Sequence, residues 1–140
     1  FELALACDLR VVTSRSSFGL PEIKVGVPSV VDAALLPQHV GLSLAKEMIL
    51  TGELYPVDRF AASGLCNQVV EPAELDAAVA SWLDRVAGHT RTVTSAQKRL
   101  FEVWQNTALS TGTLISVQEF GSVFAAEETH RQLAAYRKDL

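Results

Sequence analysis

The chain has 140 residues, 49% of them hydrophobic and 20% charged, with a formal net charge of −4. That length suits one domain of ordinary size, able to bury about two-thirds of its unfolded surface. The balance excludes a disordered tail, no apolar run approaches the roughly 18–20 residues that cross a bilayer, and the lack of a basic stripe argues against general nucleic-acid binding.

In chain order, residues 1–6 predict a short apolar helix that begins without an N-cap or an initiator Met. Leu9–Thr13 reads as a strand rich in β-branched residues, Ser14–Ser16 as a turn, and Ser17–Leu20 as a second strand closed by Pro21. Val25-Gly26-Val27-Pro28 is a loop, after which Ser29 is positioned to cap a helix over Val30–Leu36 that stops at Pro37. Leu42, Ala45 and Ile49 recur at helical spacing up to Gly52. Pro56 opens another helix, Gly64 closes it, and Cys66–Val70 is a strand. From Pro72 onward the pattern is helical. One apolar stripe runs through Leu75, Val79, Trp82 and Val86, and a second through Val93, Ala96, Leu100 and Trp104. Two further helices are expected over 113–127 and 129–138, with Ser110-Thr111-Gly112 as the break before them. Trp82 and Trp104 fall on these stripes and read as packing residues. The chain thus divides into a mixed α/β part, 1–71, and a helical part, 72–140.

Cys7 and Cys66 form neither a disulfide framework nor a metal-ligand pair, which favours a reduced, cytoplasmic setting. His39, His89 and His130 are scattered, so no metal site is expected. An anionic ligand remains open, because local cations and helix N-termini are enough to bind one.

Two acids stand out. Glu2 lies in Phe1-Glu2-Leu3-Ala4-Leu5-Ala6, and Glu22 in Phe18-Gly19-Leu20-Pro21-Glu22-Ile23, both among apolar and small residues. Brought together, they would be a pair suited to proton transfer on both faces of a bound substrate. Left apart, they are solvated acids at a helix end and in a loop. Among Leu3, Leu5, Phe18 and Ile23 they are expected to lose solvation. Cys7 reads as a small buried hydrophobe, with no histidine near it in sequence.

Three stretches carry a resemblance. Glu2-Leu3-Ala4-Leu5-Ala6-Cys7-Asp8-Leu9-Arg10, then Phe18-Gly19-Leu20-Pro21-Glu22-Ile23-Lys24-Val25-Gly26, then Leu50-Thr51-Gly52-Glu53 followed by Ala61–Val70 resemble, in order, segments of the crotonase superfamily, whose founding members are the enoyl-CoA hydratases. The resemblance is to the C-terminal portion of that family. The fold it implies is α/β: the latter part of a ββα spiral followed by helices used for trimer contacts. It implies that Glu2 and Glu22 match the two catalytic acids, which add water across an α,β-unsaturated acyl-CoA thioester. Coenzyme A enters as part of the substrate, with no separate cofactor, and the assembly implied is a homotrimer or hexamer. Neither oxyanion-hole donor of the family falls within these residues, so this chain alone is expected to be inactive, since one missing donor can cost on the order of 10²–10³ in rate.

One departure follows Pro28. Many hydratases carry a Gly-Ala-Gly-Gly-Thr run there, and this chain has Ser29-Val30-Val31-Asp32-Ala33. Asp32 therefore reads either as a helix-start acid or as a group that positions water or a polar acyl chain. Near the end, Tyr136-Arg137-Lys138 resembles the family's terminal aromatic and basic segment, making Tyr136 and Lys138 candidates for coenzyme A contact or merely solvated residues. Alternatives to hydration are a family isomerase, a thioester hydrolase, or a non-catalytic oligomerisation module.

Overall fold

The computed structural model describes residues 1–137, and the chain forms two compact units, Phe1–Ser81 and Trp82–Leu140. The first unit is the mixed one. It contains helix α1 (Glu2–Leu5), strands β1 (Val11–Thr13) and β2 (Ser17–Phe18), and helices α2 (Leu36–Val40) and α3 (Leu42–Thr51). Strands β3 (Tyr55–Pro56) and β4 (Gln68–Val70) complete it, with 3-10 turns at Pro21–Val25, Val31–Leu35 and Val57–Phe60.

Its strands form two small pairs. β1 runs parallel to β4 in the register Val11 to Gln68, Val12 to Val69 and Thr13 to Val70. A parallel pair needs a long crossover, and α2 and α3 lie within it. β2 pairs antiparallel with β3, Phe18 opposite Tyr55. Gly19 lets that pair close: a Cβ there would lie 2.6 Å from the Glu53 carbonyl oxygen.

The core gathers Leu5, Phe18, Leu20, Leu36, Met48, Phe60 and Leu65, with Ala33, Ala45 and Val57 filling the gaps. Phe18 links two aromatic contacts, to Phe1 at 4.9 Å and edge-on to Phe60 at 5.4 Å between ring centres. Such pairs add about 0.5–1.5 kcal/mol each beyond the area they bury. Gly52 ends α3 in the left-handed region at φ 64°, as its position predicts.

Three expectations fail here for identifiable reasons. Ser29 caps no helix: residues 31–35 form a 3-10 turn without a side-chain cap, and the Ser29 hydroxyl is engaged elsewhere. Pro37 does not stop a helix but lies in the first turn of α2, where its missing N–H costs nothing. Cys7 is exposed rather than buried, its thiol donating to the Leu3 carbonyl at 3.2 Å.

The second unit is helical, and the division between units falls within α4 (Leu75–Ala87), followed by α5 (Arg91–Asn106), α6 (Leu109–Phe124) and α7 (Glu127–Tyr136). Glu71 and Glu74 form a reciprocal capping box ahead of α4, and the Thr90 side chain accepts from the Val93 amide to cap α5. The predicted break at Ser110–Gly112 is instead the first turn of α6; the chain reverses at Thr107–Ala108. Gly112 is helical because the Trp104 ring covers it, and a Cβ there would lie 3.1 Å from that ring. The Trp104 indole N–H donates to Ser116 Oγ at 2.9 Å, fastening α5 to α6 as a packing residue would.

Candidate active site

Helix α1 carries Glu2 at its first position and is only four residues long. A helix this short cannot hold itself in water, so its geometry comes from neighbours. Leu5 anchors it in the core, and α1 packs against the 3-10 turn Val31–Leu35. Arg10 closes its far end. Its guanidinium donates from Nη1 to the Ala4 carbonyl at 3.2 Å and the Cys7 carbonyl at 2.5 Å, and from Nε to the Leu65 carbonyl at 2.6 Å. The Arg10 backbone N–H donates to Asn67 Oδ1 at 2.8 Å. With only 9% of its surface exposed, this arginine ends α1 with a charge complementary to the helix dipole. His39 meets the same end through a hydrogen bond to the Leu5 backbone. Burial, followed by the Arg10 charge, pushes its imidazole below the ordinary 6.5. Burial also pushes the nearby Cys66 thiol up.

Glu22 is set by a different device. Pro21 opens the 3-10 turn Pro21–Val25, and Gly26 closes it at φ 81°. That turn packs on α3, and Gly52 makes room for it, since a Cβ there would lie 2.9 Å from Ile23 Cγ2. Lys24 Nζ and Glu53 Oε1 pair across the contact at 2.8 Å, a solvent-exposed bridge that stabilises by only about 0–1 kcal/mol. The Glu22 carboxylate is half-buried and accepts from Ser29 Oγ at 2.8 Å through Oε2.

Ser29 lies two residues before the turn on which α1 packs, and Asp32, also half-buried, lies within that turn. Glu2 and Asp32 therefore lie on elements that pack on each other, while Glu22 is joined to that part of the first unit by its hydrogen bond to Ser29 and by the packing of its turn on α3. The apolar surroundings expected for the acids are only partly present. Leu5 and Phe18 are buried, whereas Leu3 is 80% exposed and Ile23 also faces solvent. Tyr136 lies in the last turn of α7 in the second unit, 64% exposed, and Lys138 lies outside the described residues.

Two participants escaped the sequence patterns. Arg10 lies at the start of a strand-like run, where periodicity gives no sign of its burial. Val31 has φ 52°, a left-handed backbone that a β-branched residue adopts only under strain. Val31 lies within residues 29–33, where the chain departs from the glycine-rich run that the resemblance implies.

A cavity is present in the helical unit, about 420 Å³ in volume, lined by Val93, Leu100, Trp104, Phe120 and Phe124 among others. Its one carboxylate, Glu119, is paired with Arg99. It can bind apolar groups but lacks a free acid–base pair. Among the described residues, no cluster of three or more His, Cys, Asp or Glu is placed to hold a metal.

The family model for enoyl-CoA hydratase/isomerase matches residues 1–139. This chain belongs to the enoyl-CoA hydratase/isomerase family. The match runs from the first residue and does not confine the likeness to a C-terminal portion of the family domain. Among enoyl-CoA hydratase/isomerase relatives, a short-chain-enoyl-CoA hydratase of Clostridioides difficile is 31% identical over 97% of this chain and 88% of its own length. A crotonyl-CoA hydratase of Syntrophomonas wolfei is 29% identical over 96% of this chain and 52% of its own. The crystal structure of an enoyl-CoA hydratase from Mycobacterium smegmatis superposes with a TM-score of 0.91 at 25% identity, over 99% of this chain and 54% of that one. This chain thus spans about half the length of most such relatives, and an α/β fold of the hydratase kind is established for it.

Proposed function

We propose that this chain supplies the acid–base residues of an enoyl-CoA hydratase-like lyase, which adds water to an α,β-unsaturated acyl-CoA thioester. The observation that supports it best is Glu22 hydrogen-bonded to Ser29, two residues before the turn against which the Glu2 helix packs. Hydration needs one carboxylate to orient water and accept its proton as oxygen bonds to Cβ. A second group must deliver a proton to Cα, and a pair of acids brought to one substrate would meet that demand. Negative charge collecting on the thioester oxygen must be met by N–H donors. Asp32 lies on the same turn, as a group for positioning water or a polar acyl chain.

Isomerisation within the family needs just one well-placed base, so retaining both acids favours hydration, while the altered 29–33 loop favours a changed reaction. The second unit has a separate reading. Leu109, Leu114, Val117 and Phe120 of α6 are exposed, an apolar face that supports assembly into a homotrimer or hexamer. Tyr136, exposed beside the basic C-terminal residues, is a candidate for the nucleotide end of coenzyme A.

The test uses the full natural polypeptide with crotonyl-CoA, following loss of the conjugated thioester and product mass. Glu2→Gln and Glu22→Gln should each lower kcat by about 10²–10⁴, and the product should gain one water. Full activity in both variants refutes the acid–base assignment. A mass-neutral product means isomerisation.

A further inference from the structure

We propose that Ser29 is a positioning residue for Glu22, holding one carboxylate oxygen so that the other is aimed at the reacting atoms. The inference rests on the reading of Glu22 as a proton-transfer acid and adds a residue to that site.

The contact is well defined. Ser29 Oγ lies 2.8 Å from Glu22 Oε2 and bridges seven residues of chain. An ionised carboxylate only accepts, so the hydroxyl must donate its one proton. Oε2 is then held in place, and Oε1 keeps both of its lone pairs for water or substrate. A glutamate side chain has three rotatable bonds, and the 3-10 turn that carries it fixes only its backbone. Fixing Oε2 restricts the rest, and orientation of this kind raises the rate without tightening substrate binding.

Ser29 is itself held. Pro28 precedes it with a restricted φ. After it, Val30 is extended at φ −133° and ψ −170°, and Val31 turns into the left-handed region at φ 52°. A β-branched residue keeps such a conformation only where the surrounding structure imposes it. The strained turn directs the chain into residues 31–35, with Ala33 buried in the core. The hydroxyl is thereby fixed between a rigid proline and a constrained bend.

The experiment compares Ser29→Ala, Ser29→Thr and Glu22→Gln in the full natural polypeptide, measuring kcat and KM for crotonyl-CoA hydration and melting temperature for each. Ser29→Ala should lower kcat about 10-fold with KM within about two-fold, while Ser29→Thr, which keeps the hydroxyl, restores most of the loss. Undiminished kcat in Ser29→Ala, with Glu22→Gln inactive, overturns the positioning role and leaves the site assignment standing. Failure of Ser29→Thr to recover a folded variant's loss also overturns it. An unaffected Glu22→Gln removes the site assignment, and the proposal with it.

Discussion

Replacing Val31 with glycine should stabilise the protein, against the usual direction of such a change. Three terms compete. A left-handed backbone costs an L-residue roughly 1–2 kcal/mol, and the branched Cβ of valine places Val31 toward the upper end. Glycine relieves that cost but gives the unfolded chain more freedom, a penalty of about 0.5–1 kcal/mol. The lost side chain matters little, because Val31 is 73% exposed and full burial of a valine is worth about 1.5–3 kcal/mol. Relief wins by about 0.5 kcal/mol on these terms. Val31→Ala supplies the control. Alanine keeps most of the left-handed penalty and loses the same methyl groups. Glycine should then be more stable than alanine at this position by about 0.5–1 kcal/mol, the reverse of an ordinary site. Urea unfolding of the three proteins, compared at their midpoints, measures this directly. If Val31→Gly unfolds before Val31→Ala, residue 31 is not left-handed in solution, and the constrained bend behind Ser29 is lost with it.

Two further outcomes concern the far end of α1. Arg10→Met should cost roughly 3 kcal/mol in urea unfolding, because the buried Leu65 carbonyl and the part-buried Ala4 and Cys7 carbonyls lose their donors; Arg10→Lys should recover only part of that, and wild-type stability in Arg10→Met rules out the clamp. His39 is held below the ordinary 6.5 by burial and then by Arg10, so the unfolded chain binds its proton first as pH falls. The contribution of neutral His39 is therefore complete above pH 6.5 and is lost as pH drops through its lower folded value. Stability measured from pH 7.5 downward should decline through this range and flatten in His39→Gln; an unchanged decline excludes His39 as its source.

Much of this architecture can be read from the chain, and its failures share a cause. α3 is legible from Leu42, Ala45 and Ile49 with Gly52 behind them, and α5 from its apolar stripe, because local periodicity and tertiary packing agree there. Ser29 is misleading because a serine ahead of an apolar run has the pattern of a helix cap. In the folded chain a carboxylate seven residues back competes for the hydroxyl and wins. Gly112 and Pro37 resemble terminators, yet one is covered by the Trp104 ring and the other opens a helix. Glu2 and Glu22 are visible as acids in apolar segments. The residues that aim them are not, since Arg10 acts on carbonyls up to 55 positions away and no window of sequence contains both partners.

That arginine has a consequence for anyone altering the protein. A helix of four residues has almost no rigidity of its own, so the direction of Glu2 is set in part by residues 65–67, which receive Arg10, together with Leu5 in the core and the turn at 31–35. Redesign of that segment, more than sixty positions along the chain from Glu2, would swing the first carboxylate like a tiller. Libraries meant to retune this enzyme family member would do well to include Leu65 and Asn67 beside the acids themselves.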